Sequence, residues 1–306
     1  MKVDKISLNG NKINEPIVAC IGYFDGLHLG HRALIEKTIA VAKEKQVESA
    51  LITFSPDPWV TIKGLKDVQH LTTEKRRIEL AEKLGIDRVI VLDFTKPMSE
   101  LTPTDFIQQV LVPCHLQALI CGFDFHYGFK GEGSADSLKV QAASFFEVYT
   151  IDSINEDEKK ISSSRITEYL EQGEIEHANR LLGYPYELSG IVVHGHKRGR
   201  EIGFPTANID VLDELIIPRV GVYAGWTIIQ GKKYQSMINI GHNPTFNFSH
   251  KLSVESNIFD FNEQIYDQEI KIELISYLRD ELKFNSVDDL IEQMNQDQIK
   301  TREVLK

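Results

Sequence analysis

Cysteine is scarce in this 306-residue chain. The three residues, Cys20, Cys114 and Cys121, are odd in number and form no Cys-x-x-Cys pair, which argues against a disulfide framework and a structural zinc site. Basic charge is also in deficit, with 34 Lys and Arg against 45 Asp and Glu and a formal net charge of −11. A groove for duplex or transfer RNA needs a basic face, so nucleic acid is not the expected partner. Long uncharged apolar runs and a signal-peptide pattern are missing too, so no membrane association is expected and the compartment is read as cytoplasmic. Repeats and low-complexity tracts are absent, and the charged stretch Asn155-Glu156-Asp157-Glu158-Lys159-Lys160 reads as a solvated loop. Oligomeric state is not legible at this level.

What is present has two rhythms. Up to about residue 184, apolar runs at 17–22, 50–54, 88–92, 117–121 and 146–150 alternate with helix-like patterns near 31–45, 73–84 and 103–111. That is the order of a parallel sheet covered by helices, a Rossmann-like α/β domain, in which ligands sit beyond the carboxyl ends of the strands. Short helical segments at 163–172 and 174–182 follow, and Gly183-Tyr184-Pro185 marks a boundary. Beyond it, strand-like runs at 187–194, 220–229, 233–240, 252–260 and 270–278 precede a helix near 286–304. This predicts a small antiparallel barrel or sandwich with one C-terminal helix. The expected domains are therefore 1–184 and 185–306.

Residues 22–31 read Gly-Tyr-Phe-Asp-Gly-Leu-His-Leu-Gly-His, directly after the first buried run. Two imidazoles, His28 and His31, thus stand where a strand hands over to a helix. Free backbone N–H groups and the positive dipole end there suit a phosphate, and the rings can donate hydrogen bonds as charge builds in a transition state. Zinc is the competing functional reading and lacks further ligands nearby. The run Ser162-Ser163-Ser164-Arg165 opens a helix and reads either as a plain N-cap or as a second phosphate clamp. The loop Gly122 to Gly131 alternates glycine and aromatics around Asp124. It is either a self-packed loop or a lid for a flat ligand. In the second half, residues 194–208 read His-Gly-His-Lys-Arg-Gly-Arg-Glu-Ile-Gly-Phe-Pro-Thr-Ala-Asn. Its glycines suit a flap over phosphates, and Thr206 and Asn208, two apart on an extended segment, offer hard oxygens suited to Mg²⁺. Glu255 alternates with Val254, Ser256 and Ile258 along a strand, as an outward carboxylate or as a base.

The first of these motifs, Gly22, Phe24, Asp25, Gly26, His28, Gly30 and His31, resembles the nucleotidylyltransferase superfamily. With Phe54, Pro56, Pro58, the 122–131 loop and the serine run, it resembles the FAD synthetase half of bacterial bifunctional riboflavin kinase/FAD synthetases. The 194–208 loop resembles the riboflavin kinase signature Gly-x-x-x-Gly-Arg-x-x-Gly-x-Pro-Thr-Ala-Asn. The resemblance runs from about residue 15 to the C-terminus.

It implies two ATP-dependent activities, riboflavin to FMN and FMN to FAD with release of pyrophosphate, with Mg²⁺ as the metal and small molecules as the only substrates. By the same resemblance, His28, His31 and Glu255 are catalytic. ATP phosphates are bound by Gly22, Phe24, Asp25, Gly26, Gly30, Ser163, Ser164, Arg165, Gly195, Lys197, Gly199, Gly203 and Pro205. Flavin contacts fall to Phe54, Pro56, Pro58, Asp124, Phe125, Arg279 and Phe284, and Thr206 and Asn208 hold the metal. Tyr223 and Asn239–Thr245 would shape the nucleotide side of the barrel. Departures are Thr167 for the family's Arg after the serine run, Asn257 for its His two residues past the base, and Asp267 for a Gly. A chain with one activity only, or a flavin-binding regulator without catalysis, remains the alternative.

Overall fold

Ile17–Ile21 is buried at every position, as a strand in a parallel sheet covered on both faces must be. It is β2 of a six-stranded parallel sheet in a computed structural model that describes residues 1–10, 12–66, 68–195, 199, 202–242 and 252–306. The other strands are β1 (Lys2–Ile6), β3 (Glu48–Ser55), β4 (Arg88–Asp93), β5 (Leu116–Gly122) and β6 (Glu147–Ile151). Their order is β1-β4-β3-β2-β5-β6. The chain runs outward from β2 to β3 and β4, then returns to the far side of β2 for β5 and β6. The order reverses between β2 and β5, the place where such sheets open a crevice. Helix α1 (Leu29–Lys45) packs on β2, β3 and β5, and α2 (Glu74–Lys83) follows a Thr73 N-cap. All strands expected in this half are present. Missed were four two-residue strands and β1, which reads Lys-Val-Asp-Lys-Ile at one edge of the sheet and is too polar for an apolar-run test.

The chain forms two compact units, one of Met1–Val68 with Thr72–Ser162, the other of Gln69–Leu71 with Ser163–Lys306. The second unit begins with helices α4 (Ser163–Gln172) and α5 (Ile175–Leu182), after the short α3 (Ala135–Gln141) of the first. Its centre is a closed antiparallel barrel. The strands are β7 (Tyr186–Val193), β8 (Ala207–Val211), β9 (Gly221–Ile229), β10 (Lys232–His242), β11 (Leu252–Ile258) and β12 (Glu269–Arg279). They close in the order β7-β8-β11-β10-β9-β12. Closure leaves no unpaired strand edge, which settles the choice between barrel and sandwich. Helix α6 (Val287–Val304) packs on β9, β10 and β12. The short β8 was not among the predicted strands, since it directly follows a glycine-rich loop.

At the start of β4, the buried Arg88 donates to Glu48 at 3.0 Å, Asp4 at 2.8 Å and Glu15 at 3.1 Å. One guanidinium thus joins β1, β3, β4 and the loop before β2. Replacing Arg88 by Leu leaves these carboxylates without their cation. Because those carboxylates are partly exposed, it is expected to lower the unfolding free energy by about 1 kcal/mol, read as a drop in the urea midpoint at pH 7.

Candidate active sites

In a parallel sheet all carboxyl ends lie on one edge, so the segments after β2, β3 and β5 stand side by side there. The segment after β2 is pinned along its length. Gly22 donates its N–H to Ile52 O at 3.1 Å, and Thr53 Oγ1 donates to Tyr23 O at 2.9 Å. Thr72 then locks the turn. Its hydroxyl accepts the Gly26 N–H at 2.9 Å, and Thr72 donates both N–H and O–H to Asp25 Oδ1 at 3.0 Å. Gly26 takes φ 77°, a left-handed conformation that suits glycine. Phe24 is buried, and its ring meets His31 edge-on at 5.2 Å. Asp25 and Phe24 therefore build the turn from beneath.

The turn delivers His28 and His31 to the first turn of α1. His28 is the N-cap, and its Nδ1 accepts the backbone N–H of His31 at 3.3 Å. An accepting Nδ1 carries no proton, so the neutral ring holds its proton on Nε2 and is a donor there. The two rings stack at 3.7 Å and 15°. A side chain at Gly30 would press on the His28 ring, which is why glycine separates the pair. His31 Nδ1 is buried and finds no hydrogen-bond partner among the described residues.

Burial pushes His28 down from 6.5 to about 4, with Lys160 adding to the effect. Burial, then His28, then Lys160, hold His31 well below 6.5. Both rings are therefore neutral at pH 7, and a phosphate arriving beside them would raise their basicity.

Lys160, which sequence reading passed over as part of a solvated loop, pairs with Asp124 and sits 5.1 Å over the exposed Phe123 ring. Phe54 is buried and meets Phe94 edge-on at 5.5 Å. Phe125 is partly buried and stacks on Tyr127 at 5.9 Å. Pro56 leads into a short helix that Asp57 caps and whose first residue is Pro58. The Gly122–Gly131 loop is tied down, with Phe129 donating its N–H to Leu101 O at 2.6 Å.

In the second unit, Ser163, Ser164 and Arg165 form the first turn of α4, and Arg165 donates to Tyr169 Oη at 3.2 Å. The barrel then brings together residues far apart in sequence. Thr206, Glu255, Arg279 and Phe284 line one cavity of about 290 Å³, along with Asn239 and Asn257. Thr206 Oγ1 donates to Glu255 Oε2 at 3.1 Å. Antiparallel pairing puts Asn208 opposite Glu255 on one side and Asn239 opposite it on the other. The Asn208 amide lies against Gly195, where any Cβ would collide with it. Hydroxyl, amide and carboxylate oxygens of this kind fit a Mg²⁺ that takes most of its ligands from phosphates and water. No group of three His, Cys, Asp or Glu that could hold a metal occurs among the described residues.

Gly199, Gly203 and Pro205 lie in the preceding loop, where Phe204 donates its N–H to Gly199 O at 2.8 Å. Lys197 and Asn243–Thr245 lie outside the described residues. Asn257 donates from Nδ2 to Pro205 O at 2.7 Å, so it fastens the residue next to Thr206 to β11. Tyr223 is fully buried and donates its hydroxyl to Arg219 O.

Two family models match, one described as FAD synthetase over residues 10–165 and one described as riboflavin kinase over residues 182–305. A Listeria monocytogenes protein named bifunctional riboflavin kinase/FMN adenylyltransferase is 43% identical, covering 93% of this chain and 91% of its own. A Bacillus subtilis protein of the same name is 39% identical, covering 92% and 90%. A crystal structure described as a macrolide-efflux protein from Streptococcus pneumoniae is 31% identical and superposes with a TM-score of 0.92 over 99% of both chains. Among the described residues no helix is long and apolar enough to cross a membrane.

Two outcomes are expected. In imidazole NMR of the free protein, His28 takes up its proton near pH 4 and stays neutral through 6.5. Because this value is depressed, the stability tied to the neutral ring is intact above 6.5 and falls away as the pH drops toward 4. Asn257→Leu removes the tether to Pro205 and is expected to cut riboflavin phosphorylation by about tenfold, as loss of a positioning contact does, with FMN adenylylation unchanged in the same preparation.

Proposed function

The chain belongs to the family of bifunctional riboflavin kinase/FMN adenylyltransferases, and on that premise we propose how its parts divide the work. The family's two activities are phosphorylation of riboflavin to FMN and adenylylation of FMN to FAD, and both domains are present. Residues 1–184 carry the adenylyltransferase and residues 185–306 the kinase.

In the adenylyltransferase, a phosphate oxygen of FMN attacks the α-phosphorus of ATP in line. The bond from that phosphorus to the bridging oxygen breaks, and pyrophosphate leaves with the electron pair. No covalent enzyme intermediate is required. The protein supplies alignment and charge stabilisation. His28, a neutral Nε2 donor at a helix start, faces the charge that grows on the α-phosphate and leaving group, with His31 beside it. The family resemblance assigns Ser163, Ser164 and Arg165 to ATP phosphates as well. Gly22 and Gly30 give the Phe24 and His28 rings their space, while Phe24, Asp25 and Gly26 act by shaping the turn. Asp124, Phe125, Phe54, Pro56 and Pro58 form the flavin side, where buried Phe54 supports the surface from below.

In the kinase, Glu255 takes the proton of the ribityl 5′-hydroxyl as that oxygen attacks the γ-phosphorus of a second ATP, and ADP leaves. Thr206 and Asn208 would hold Mg²⁺, whose charge offsets that of the phosphates. Gly195, Gly199, Gly203 and Pro205 belong to the flap over those phosphates, the resemblance assigns Lys197 to the same phosphates, and Arg279 and Phe284 contact the flavin. We propose a cytoplasmic enzyme acting on small molecules alone. Three free, buried cysteines and an acidic net charge support that reading.

The observation that carries the division is that each half gathers its own reactive set: stacked imidazoles at 3.7 Å in one, Thr206 and Glu255 at 3.1 Å in the other. Incubation with riboflavin, ATP and Mg²⁺ should yield FMN and FAD on chromatography. His28→Ala or His31→Ala should abolish FAD while sparing FMN, and Glu255→Gln should stop FMN formation while leaving FAD formation from added FMN. Equal loss of both activities in a folded variant would overturn the division.

A further inference from the structure

The last helix, α6, turns one face to the barrel, and Leu290, Met294, Asp297 and Thr301 follow one another along it at spacings of four, three and four. Asp297 and Thr301 have no exposed surface at all, and Leu290 and Met294 line the Glu255 cavity. A wholly buried carboxylate in this stripe is out of place for simple packing. Its partner is Arg279, the last residue of β12. Arg279 Nε donates to Oδ2 at 2.9 Å and Oδ1 at 3.1 Å, and Nη2 donates to Oδ2 at 2.7 Å. Gln293 steadies the same carboxylate from Nε2 at 2.9 Å, and the other guanidinium nitrogen, Nη1, donates to Asp280 O at 2.8 Å.

We propose that Asp297, steadied by Gln293, is a positioning residue for riboflavin phosphorylation, acting through Arg279. This rests on the kinase assignment above.

Three arguments carry it. A buried ion pair is a poor way to fasten a helix, since apolar side chains of the same size do so at least as well. A fork-to-carboxylate contact does fix the plane of a guanidinium, which a helix clamp does not need and a stacking surface for a flat ring does. Most directly, Arg279 and Glu255 line the same cavity. An unclaimed guanidinium there would be drawn to the carboxylate that has to take the hydroxyl proton. It would block the flavin space and engage the base together. Asp297 sits behind the cavity wall, claims the cation, and leaves a charge-balanced flat face toward a neutral flavin.

The test is a mutant cycle on the full chain, read as kcat/KM for riboflavin in FMN formation, with KM for ATP and FMN adenylylation as controls. Asp297→Asn, Arg279→Met and the double variant should each lose about tenfold in kcat/KM for riboflavin, with no further loss in the double, because both act through one contact. KM for ATP and FMN adenylylation should stay at the wild-type level. A folded Asp297→Asn protein with wild-type kcat/KM overturns the proposal, as does a loss that multiplies with that of Arg279→Met. Should Asp297→Asn fail to fold by circular dichroism, Gln293→Leu decides: a loss of about threefold is expected, and an unchanged value overturns the proposal. Wild-type protein that forms no FMN would instead overturn the kinase assignment itself.

Discussion

One hydrogen bond, from the backbone N–H of His31 to Nδ1 of His28, organises the first unit. It caps α1, so the helix begins where the strand ends. It strips Nδ1 of its proton and so leaves Nε2 as a donor. It also holds two imidazoles face to face, and burial keeps both rings neutral until an anion arrives. The surrounding contacts serve this geometry. Thr72 fixes the turn, Phe24 supports His31, and Gly30 gives the His28 ring its space. Both rings therefore meet a polyphosphate as neutral donors at a helix start, and its charge raises their basicity.

The second unit reaches its geometry through pairing register. In a closed antiparallel barrel every strand has two fixed neighbours, and Glu255 stands between Asn208 and Asn239 because β11 lies between β8 and β10. Thr206 and Asn257 add a tether at each end of the same short path. Opposite charges share the cavity without cancelling, since Asp297 engages Arg279 from behind. Both units thus follow one rule. Residues that flank the candidate reactive groups set their orientation: Thr72 and Gly30 around the histidine turn, Asn257 and Asp297 around the Glu255 cavity.

Much of this was legible in the residues. The apolar runs of β2 to β5 are continuous because both faces of a parallel sheet are covered, and a run test finds them. The histidine turn and the Pro-Thr-Ala-Asn loop could be read because short-range chemistry (a cap, a tight turn, a metal-ready pair) is written in adjacent residues. The edge strand β1 and the short β8 escaped, one for being polar and the other for following a loop. Asp297 left a visible signal, an acidic residue interrupting an apolar helical stripe, but its meaning depends on Arg279, eighteen positions earlier. Thr72 reads as one more hydroxyl beside a helix cap until Asp25 is seen against it.

The sequence by itself determined the two-part architecture, the α/β rhythm followed by short strands, and the candidates for reactive groups, because periodicity and motif spacing act over a few residues. Only the tertiary structure decided which side chains share a cavity, which proton sits on which nitrogen, and which charges are spoken for. Those depend on contacts between distant segments in a low-dielectric interior, where burial lowers the histidines and a buried carboxylate must find its cation. Such energies belong to a place in the fold and have no counterpart along the chain.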